Sequence, residues 1–198
     1  MAKEVSALDG YCKKGVFGKQ DNPTIVLSEI KQTIIYQFAG WSNNLLDVGD
    51  KFAESVKIKN FPKTNKAEGS VDTAILRIEP LKWWLVSTEL WDEVTHPSFE
   101  FFEISKKYKL CELNLTNSRT HIRVSGESAV HLLNRHLSID LREKSFNLNS
   151  IASTNFHHCS VTLWKSTKGY ELFLPRAFAL SLWEIFIESA GQFGYEIK

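Results

Sequence analysis

A short apolar strand, Leu172-Phe173-Leu174, runs into Pro175 and then into a helix that is apolar on almost every side. From Ala177 to Ala190 the only polar residues are Ser181, Glu184, Glu188 and Ser189. A surface helix shows one apolar stripe and one polar face. This helix must therefore face protein over most of its circumference: its own core on one side, and a second chain as the expected cover of the remainder. Arg176, Phe178, Leu182, Trp183 and Phe186 become interface candidates on that reading.

The 198 residues suit one domain, or two small lobes sharing a core. A chain of this size buries about 70% of its unfolded surface and needs no covalent staple. Thirteen Phe and six Trp favour a thick core or an aromatic interface over disorder. A formal net charge of +1 argues against a nucleic-acid-coating surface. The one dense basic stretch, Lys51 to Lys66, is broken by Glu54, Phe61 and Pro62 and reads as a solvated helix end plus loop. Cys12, Cys111 and Cys159 are odd in number and form no CxxC, as expected of reduced thiols in a cytoplasmic protein. No signal peptide and no membrane span are evident.

Residues 1–22 are polar and carry Gly10, Gly15 and Gly18, so an extended N-terminal arm is expected there. Residues 23–198 then read as a single α+β domain of two lobes, about 23–108 and 109–198. Val26, Ile30, Ile34, Tyr36 and Phe38 share one parity, the mark of one long strand or two with that face buried. Leu45, Leu46, Val48, Phe52 and Val56 follow at near-helical spacing, with Asn43 or Asn44 as cap. Phe61 to Ser70 reads as a loop. Thr73 to Glu79 and Trp83 to Ser87 make a hairpin around Pro80. Pro97 fits the first turn of a helix that reaches about Tyr108, with Phe99, Phe102 and Ile104 inward.

The second half repeats this grammar. Leu110–Thr116 and Arg119–Ser125 are read as two strands joined by Asn117-Ser118. In the second, Ile122 and Val124 point in, and Arg119, His121 and Arg123 point out. Gly126 leads into a helix with Ala129, Leu132, Leu133 and Leu137 on one face. Three more strands, 151–157, 161–165 and 170–174, precede the final helix, with Lys168-Gly169 in the last turn. The expected class is α+β: ferredoxin-like strand–strand–helix units with mostly antiparallel sheets.

No recognisable catalytic set emerges. GxGxxG and GxxxxGK[ST] are both absent. His157-His158-Cys159 is the sharpest metal-like cluster, but only His157 and Cys159 share a strand face, and zinc takes three or four protein ligands. His121 and His136 are candidate acids or bases, with Glu127 or Asp140 as orienting partners, yet no signature fixes them together. Arg119 is a candidate contact for an acidic partner. Trp83-Trp84 places one ring on each face of a sheet, one in the core and one exposed as an interface anchor. Trp41, Trp91, Trp164 and Trp183 are read as core. No catalytic, cofactor-binding or metal-binding residue is assigned.

Four segments resemble one family. Glu79-Pro80-Leu81-Lys82-Trp83-Trp84-Leu85 is similar to a hairpin of the gamma subunit of heterotetrameric sarcosine oxidase. Leu115-Thr116-Asn117-Ser118-Arg119-Thr120-His121-Ile122-Arg123-Val124-Ser125-Gly126 resembles that family's strand pair. His131-Leu132-Leu133 with Ile139-Asp140-Leu141, and the run from Tyr170 to Trp183, resemble two further steps. Order and spacing agree from about Leu27 to Gly194. The sequence departs at Trp84, where Leu is usual, at Leu115, Thr116 and Asn117, and at Ala177, where Ser is usual.

The resemblance implies a fold like the folate-binding domain of glycine-cleavage aminomethyltransferases. It implies a noncatalytic gamma subunit partnered by alpha, beta and delta subunits. The complex would oxidatively demethylate sarcosine to glycine with hydrogen peroxide and pass the one-carbon unit to tetrahydrofolate. FAD, FMN, NAD and tetrahydrofolate would sit on other subunits, and none on this chain. The isolated chain would be prone to self-association. A stand-alone folate-binding aminomethyltransferase-like protein and a homodimeric scaffold are the alternatives.

Overall fold

The computed structural model describes residues 5–18, 22–41, 45–89 and 98–198. It divides into two compact units. One comprises Met1–Lys31, Asn117–Leu148 and Ala152–Lys198; the other comprises Gln32–Thr116 and Asn149–Ile151. The chain thus opens and closes in the same unit.

The first unit is built on a seven-stranded sheet. Its strands are β1 (Gly15–Phe17), β2 (Ile25–Glu29), β8 (Arg119–Ser125), β9 (Ile151–Phe156), β10 (Cys159–Ser166), β11 (Gly169–Pro175) and β12 (Tyr195–Ile197). The spatial order is β1-β12-β2-β8-β11-β10-β9. β12 and β2 run parallel, while β1–β12, β2–β8, β8–β11 and β10–β11 are antiparallel. Period-two alternation on β8 and β11 sends Ile122, Val124, Leu172 and Leu174 to one face. There they meet α3 (Ala129–Leu133) and α4 (Ala179–Ala190) in one apolar core. α4 contributes Ala179, Leu182, Trp183, Phe186 and Ala190, all buried. Each large side chain of this kind contributes about 1.5–3 kcal/mol on burial.

Gly126 links β8 to α3 with φ of 103°, and a Cβ there would lie 2.3 Å from the Thr24 carbonyl oxygen. Only glycine satisfies both the left-handed backbone and the close approach of β2's leading residue.

The second unit carries a five-stranded antiparallel sheet of β3 (Ile34–Ala39), β4 (Lys66–Gly69), β5 (Thr73–Glu79), β6 (Lys82–Ser87) and β7 (Cys111–Asn114), in the order β4-β5-β6-β3-β7. α1 (Leu45–Ser55) and α2 (Ser98–Tyr108) supply Phe52 and Phe101 to a core with Phe38, Ile75, Trp83 and Leu85. Some aromatic rings meet edge-on, as at Phe38–Phe52 (4.7 Å, 63°) and Phe52–Trp83 (5.6 Å, 77°), while Phe38 and Trp83 stack (6.1 Å, 21°). The opposite face is buried too, through Ile35, Leu76, Trp84 and Val86.

The architecture is the α+β, mostly antiparallel class that the sequence pattern calls for. Several local readings are corrected. Within the expected N-terminal arm, Leu8 is fully buried in the first unit's core and β1 pairs with β12. β2 buries Ile25 and Leu27 rather than the opposite parity, because both parities are apolar there. β4 replaces part of the expected loop. In α2 Phe101 is the buried anchor, with Phe102 beside it. β7 and β8 do not pair: a 3-10 turn over Thr116–Ser118 carries the chain from β7, beside β3, to β8, beside β2 and β11. The pairing of Ser166 with Gly169 puts Thr167-Lys168 at the last hairpin's tip. Asn43, Asn44, Trp91 and Pro97 lie outside the described residues, as does the side chain of Phe99.

Trp183 is buried in the first unit's core, so truncating it leaves a cavity there. We expect Trp183→Ala to lower the isolated chain's stability by about 3–5 kcal/mol in urea titration. A change below about 1 kcal/mol would return Trp183 to the surface.

Candidate functional site

The densest polar constellation lies on the face of β8 and β11 that points away from α3 and α4. Antiparallel register sets Glu171 opposite Arg123 and Phe173 opposite His121. Glu171 is fully buried, with relative exposure of 0%. His121 Nε2 donates to its Oε2 at 2.8 Å, since a carboxylate only accepts. Arg123 Nε and the Ser166 hydroxyl both donate to Oε1 at 2.7 Å. Phe173 stacks on the His121 ring at 4.5 Å.

Burial alone would push the Glu171 carboxyl up, but donation from His121, Arg123 and Ser166 outweighs it and holds the group below the usual carboxylate range. Burial also pushes the His121 imidazole below its ordinary value, against the opposing pull of Glu171. Arg123 sets a guanidinium cation against the Glu171 carboxylate. Three donors occupy the carboxylate, the His121 Nε2 is engaged, and Ser166 faces an acid rather than a base. This arrangement does not activate a nucleophile. What it does is lock the register of three adjacent strands.

The expectation that Arg119, His121 and Arg123 point into solvent is corrected here. His121 is 3% exposed and the Arg123 side chain 18%. Arg119 is half-buried, and burial pushes its guanidinium down. The orienting partner of His121 is Glu171, not Glu127 or Asp140. Asp140 instead receives a two-pronged Arg142 contact (2.8 and 2.7 Å) and the Ser145 hydroxyl (2.7 Å). The Arg142 and Ser145 bonds hold its carboxyl well below the usual range. The sequence did carry a clue to Glu171. It is a lone carboxylate in an apolar strand, on the parity that faces His121 and Arg123.

His136 and His157 form the second polar pair, with Nδ1 and Nε2 3.4 Å apart. The His136 ring stacks on Phe156 at 4.8 Å and 6° and also meets Phe186 at 5.5 Å. Its Nε2 is shut from solvent without a hydrogen-bond partner among the described residues. A metal on Nδ1 would force the proton onto Nε2, whereas metal-bound histidines almost always donate that second N–H. No group of three or more His, Cys, Asp or Glu converges among the described residues. His157 is thus brought to His136, but no ligand set forms among the described residues.

The proposed interface residues separate clearly. Trp83 and Trp84 are both buried (0% and 3%), and Trp84 Nε1 donates to the Gln37 side-chain oxygen at 3.1 Å. The expectation that one of them is exposed is corrected. Leu182, Trp183 and Phe186 are buried within the chain's own core, so they are not available for docking. Arg176 is half-buried and donates to the Val5 carbonyl. Phe178 alone among the eight presents a large apolar surface, at 52% exposure. Trp41, read as core, is instead 70% exposed, with Leu46 at 69%. The basic stretch borders an open depression where Asp47, Asp50 and Glu54 alternate with Lys51, Lys57 and Lys59, so no single-sign field forms. No helix among the described residues is long and apolar enough to cross a membrane.

No protein-family model and no curated protein matches the sequence. Solved structures do. A chain of heterotetrameric sarcosine oxidase from Corynebacterium sp. U-96, in complex with pyrrole 2-carboxylate, superposes with a TM-score of 0.76 at 16% identity, covering 89% of this chain and 88% of that one. Glycine cleavage system aminomethyltransferase T from Bartonella henselae superposes with a TM-score of 0.59 at 12% identity, covering 84% of this chain. This chain spans only 46% of that protein's length. The shared α+β fold is what these likenesses establish.

Removing one partner of a buried ion pair strands the other charge. Arg123→Ala is expected to cost about 3–5 kcal/mol in urea unfolding near neutral pH. A loss under about 1 kcal/mol would mean that Glu171 is not ionised in the folded chain.

Proposed function

We propose that this chain is a noncatalytic, gamma-type subunit of a heterotetrameric sarcosine oxidase. The observation that carries the reading is the near-equal two-way coverage of 89% and 88%, which makes the matched oxidase chain almost the same length as this one. The buried polar network supports it from within, because every oxygen of Glu171 is already engaged by the chain's own donors. The complex would oxidise sarcosine to glycine with hydrogen peroxide and hand the one-carbon unit to tetrahydrofolate. FAD, FMN, NAD and folate would reside on partner alpha, beta and delta subunits in the cytoplasm.

In this role the chain supplies rigid surface. Among the apolar side chains left exposed, Phe178 in the first unit and Trp41 and Leu46 in the second are the proposed docking anchors. Large aromatic anchors dominate protein interfaces, and truncating one typically costs 2 kcal/mol or more of binding.

A second reading, a stand-alone folate-binding protein, draws on the aminomethyltransferase likeness. It needs a carboxylate free to hold a pterin ring, and the buried Glu171 is not free. Calorimetry with tetrahydrofolate separates the two. The subunit reading expects no heat of binding, and tight one-to-one binding would overturn it in favour of the second.

Phe178 immediately precedes α4, at its N-cap. Phe178→Asp removes the exposed ring and places a capping carboxylate there. Co-expressed with flavoprotein subunits, this variant is expected to be captured at least about tenfold less well than wild type. The isolated variant should be as stable or slightly more so. Undiminished capture would remove Phe178 from the interface.

A further inference from the structure

The His136–His157 pair is not used by the proposed function, yet it joins three elements. His136 follows α3, where its backbone N–H donates to the Leu133 carbonyl at 3.0 Å. Its ring lies against Phe156 at the end of β9 and against Phe186 of α4. The next residue, Leu137, makes an isolated antiparallel bridge to Phe156. His157 begins the turn between β9 and β10 in the left-handed region, with φ of 52°. One side chain therefore ties the segment after α3 to a hairpin turn and to the final helix.

The chemistry of the contact fixes its protonation state. An N–H buried without an acceptor is rarer than a bare acceptor. His136 therefore carries its proton on Nδ1, donating to His157 Nε2, and leaves the Nε2 lone pair in the apolar slot. The position open for a further proton on His136 is that buried lone pair. A proton there would place a cation against the Phe156 and Phe186 rings with no hydrogen-bond acceptor among the described residues.

The charged neighbours also oppose it. His157 on the β9–β10 turn and Arg135 on His136's own segment both act against a second positive charge. Arg135 is itself held over the Phe193 ring at 5.2 Å. The carboxylates of α4, Glu184 and Glu188, are exposed, as are His131 of α3 and His158 of the turn.

We infer that His136, held against His157, forms an acid-sensitive latch that fastens the segment after α3 to the β9–β10 turn and α4, closed while the His136 imidazole is neutral and released when it is protonated. Burial, then His157 and Arg135, push the His136 imidazole down from its ordinary value to about 4. The sign follows from linkage. The released segment binds a proton at about pH 6.5 and the latched one only near pH 4, so release is favoured as pH falls between them. Each unit of difference is worth up to tenfold in the opening equilibrium, reduced because the ring is only half-buried.

Hydrogen exchange by mass spectrometry on the full chain tests this, at about pH 7 and about pH 4.5, with rates corrected for intrinsic chemistry. Residues 133–138 and 154–160 should lose on the order of tenfold protection at the lower pH, while β8 and β11 keep theirs. His136→Phe keeps the stacking and removes the titration, so its protection should not change with pH. His157→Gln keeps an acceptor for Nδ1–H and removes one opposing charge, so its acid loss should be smaller than wild type. Acid loss spread evenly over both sheets would overturn the latch. So would wild-type acid loss in both variants.

Discussion

One buried carboxylate organises the first unit. Glu171 is fully buried in the middle of β11, where an ion without partners would be untenable. It persists because β8 brings His121 and Arg123 opposite it and β10 brings Ser166 beside it. A slip of one residue in either pairing would turn these donors to the other face. The apolar side of the same strands, Ile122 and Val124 against Leu172 and Leu174, is held in phase by that constraint. α3 and α4 then have a defined surface to cover. Burying an ion pair is poor value for stability compared with an apolar substitute, but it is a strong specifier of register.

This explains why the final helix is so apolar. Leu182, Trp183 and Phe186 fill the core over the sheet, and Ser181, Glu184 and Glu188 face outward. Leu180, Ile185 and Ile187 are partly buried on its flanks. The surplus apolar character is therefore largely consumed inside the chain. What remains exposed is a smaller set of apolar side chains, among which Phe178 adjoins this helix and Trp41 and Leu46 belong to the other unit.

Period was legible in the sequence, and partnership was not. Alternation marks β5, apolar runs mark β6, β10 and β11, and helical spacing marks α1 and α3. Ile122 and Val124 were correctly read as inward. His121 failed because alternation names two faces without saying that both are dry. Alternation alone assigns a polar side chain to solvent, and it splits Trp83-Trp84 between core and surface for the same reason. β12 was missed because three residues carry too little pattern, and its partner β2 lies at the other end of the chain. Pairings of that separation leave no local signal, so neither the docking of residues 5–18 nor the separation of β7 from β8 was readable.

Our proposal is that this chain contributes surface rather than chemistry, and it rests on the fold likeness and on the closed polar network around Glu171. The most direct measurement is affinity purification of the tagged chain from its native source, with mass determination and a visible absorption spectrum of what elutes. The account predicts a single assembly larger than this chain, with flavin absorbance residing on other polypeptides. Elution of the chain alone and colourless, from cells expressing it at normal level, would contradict it.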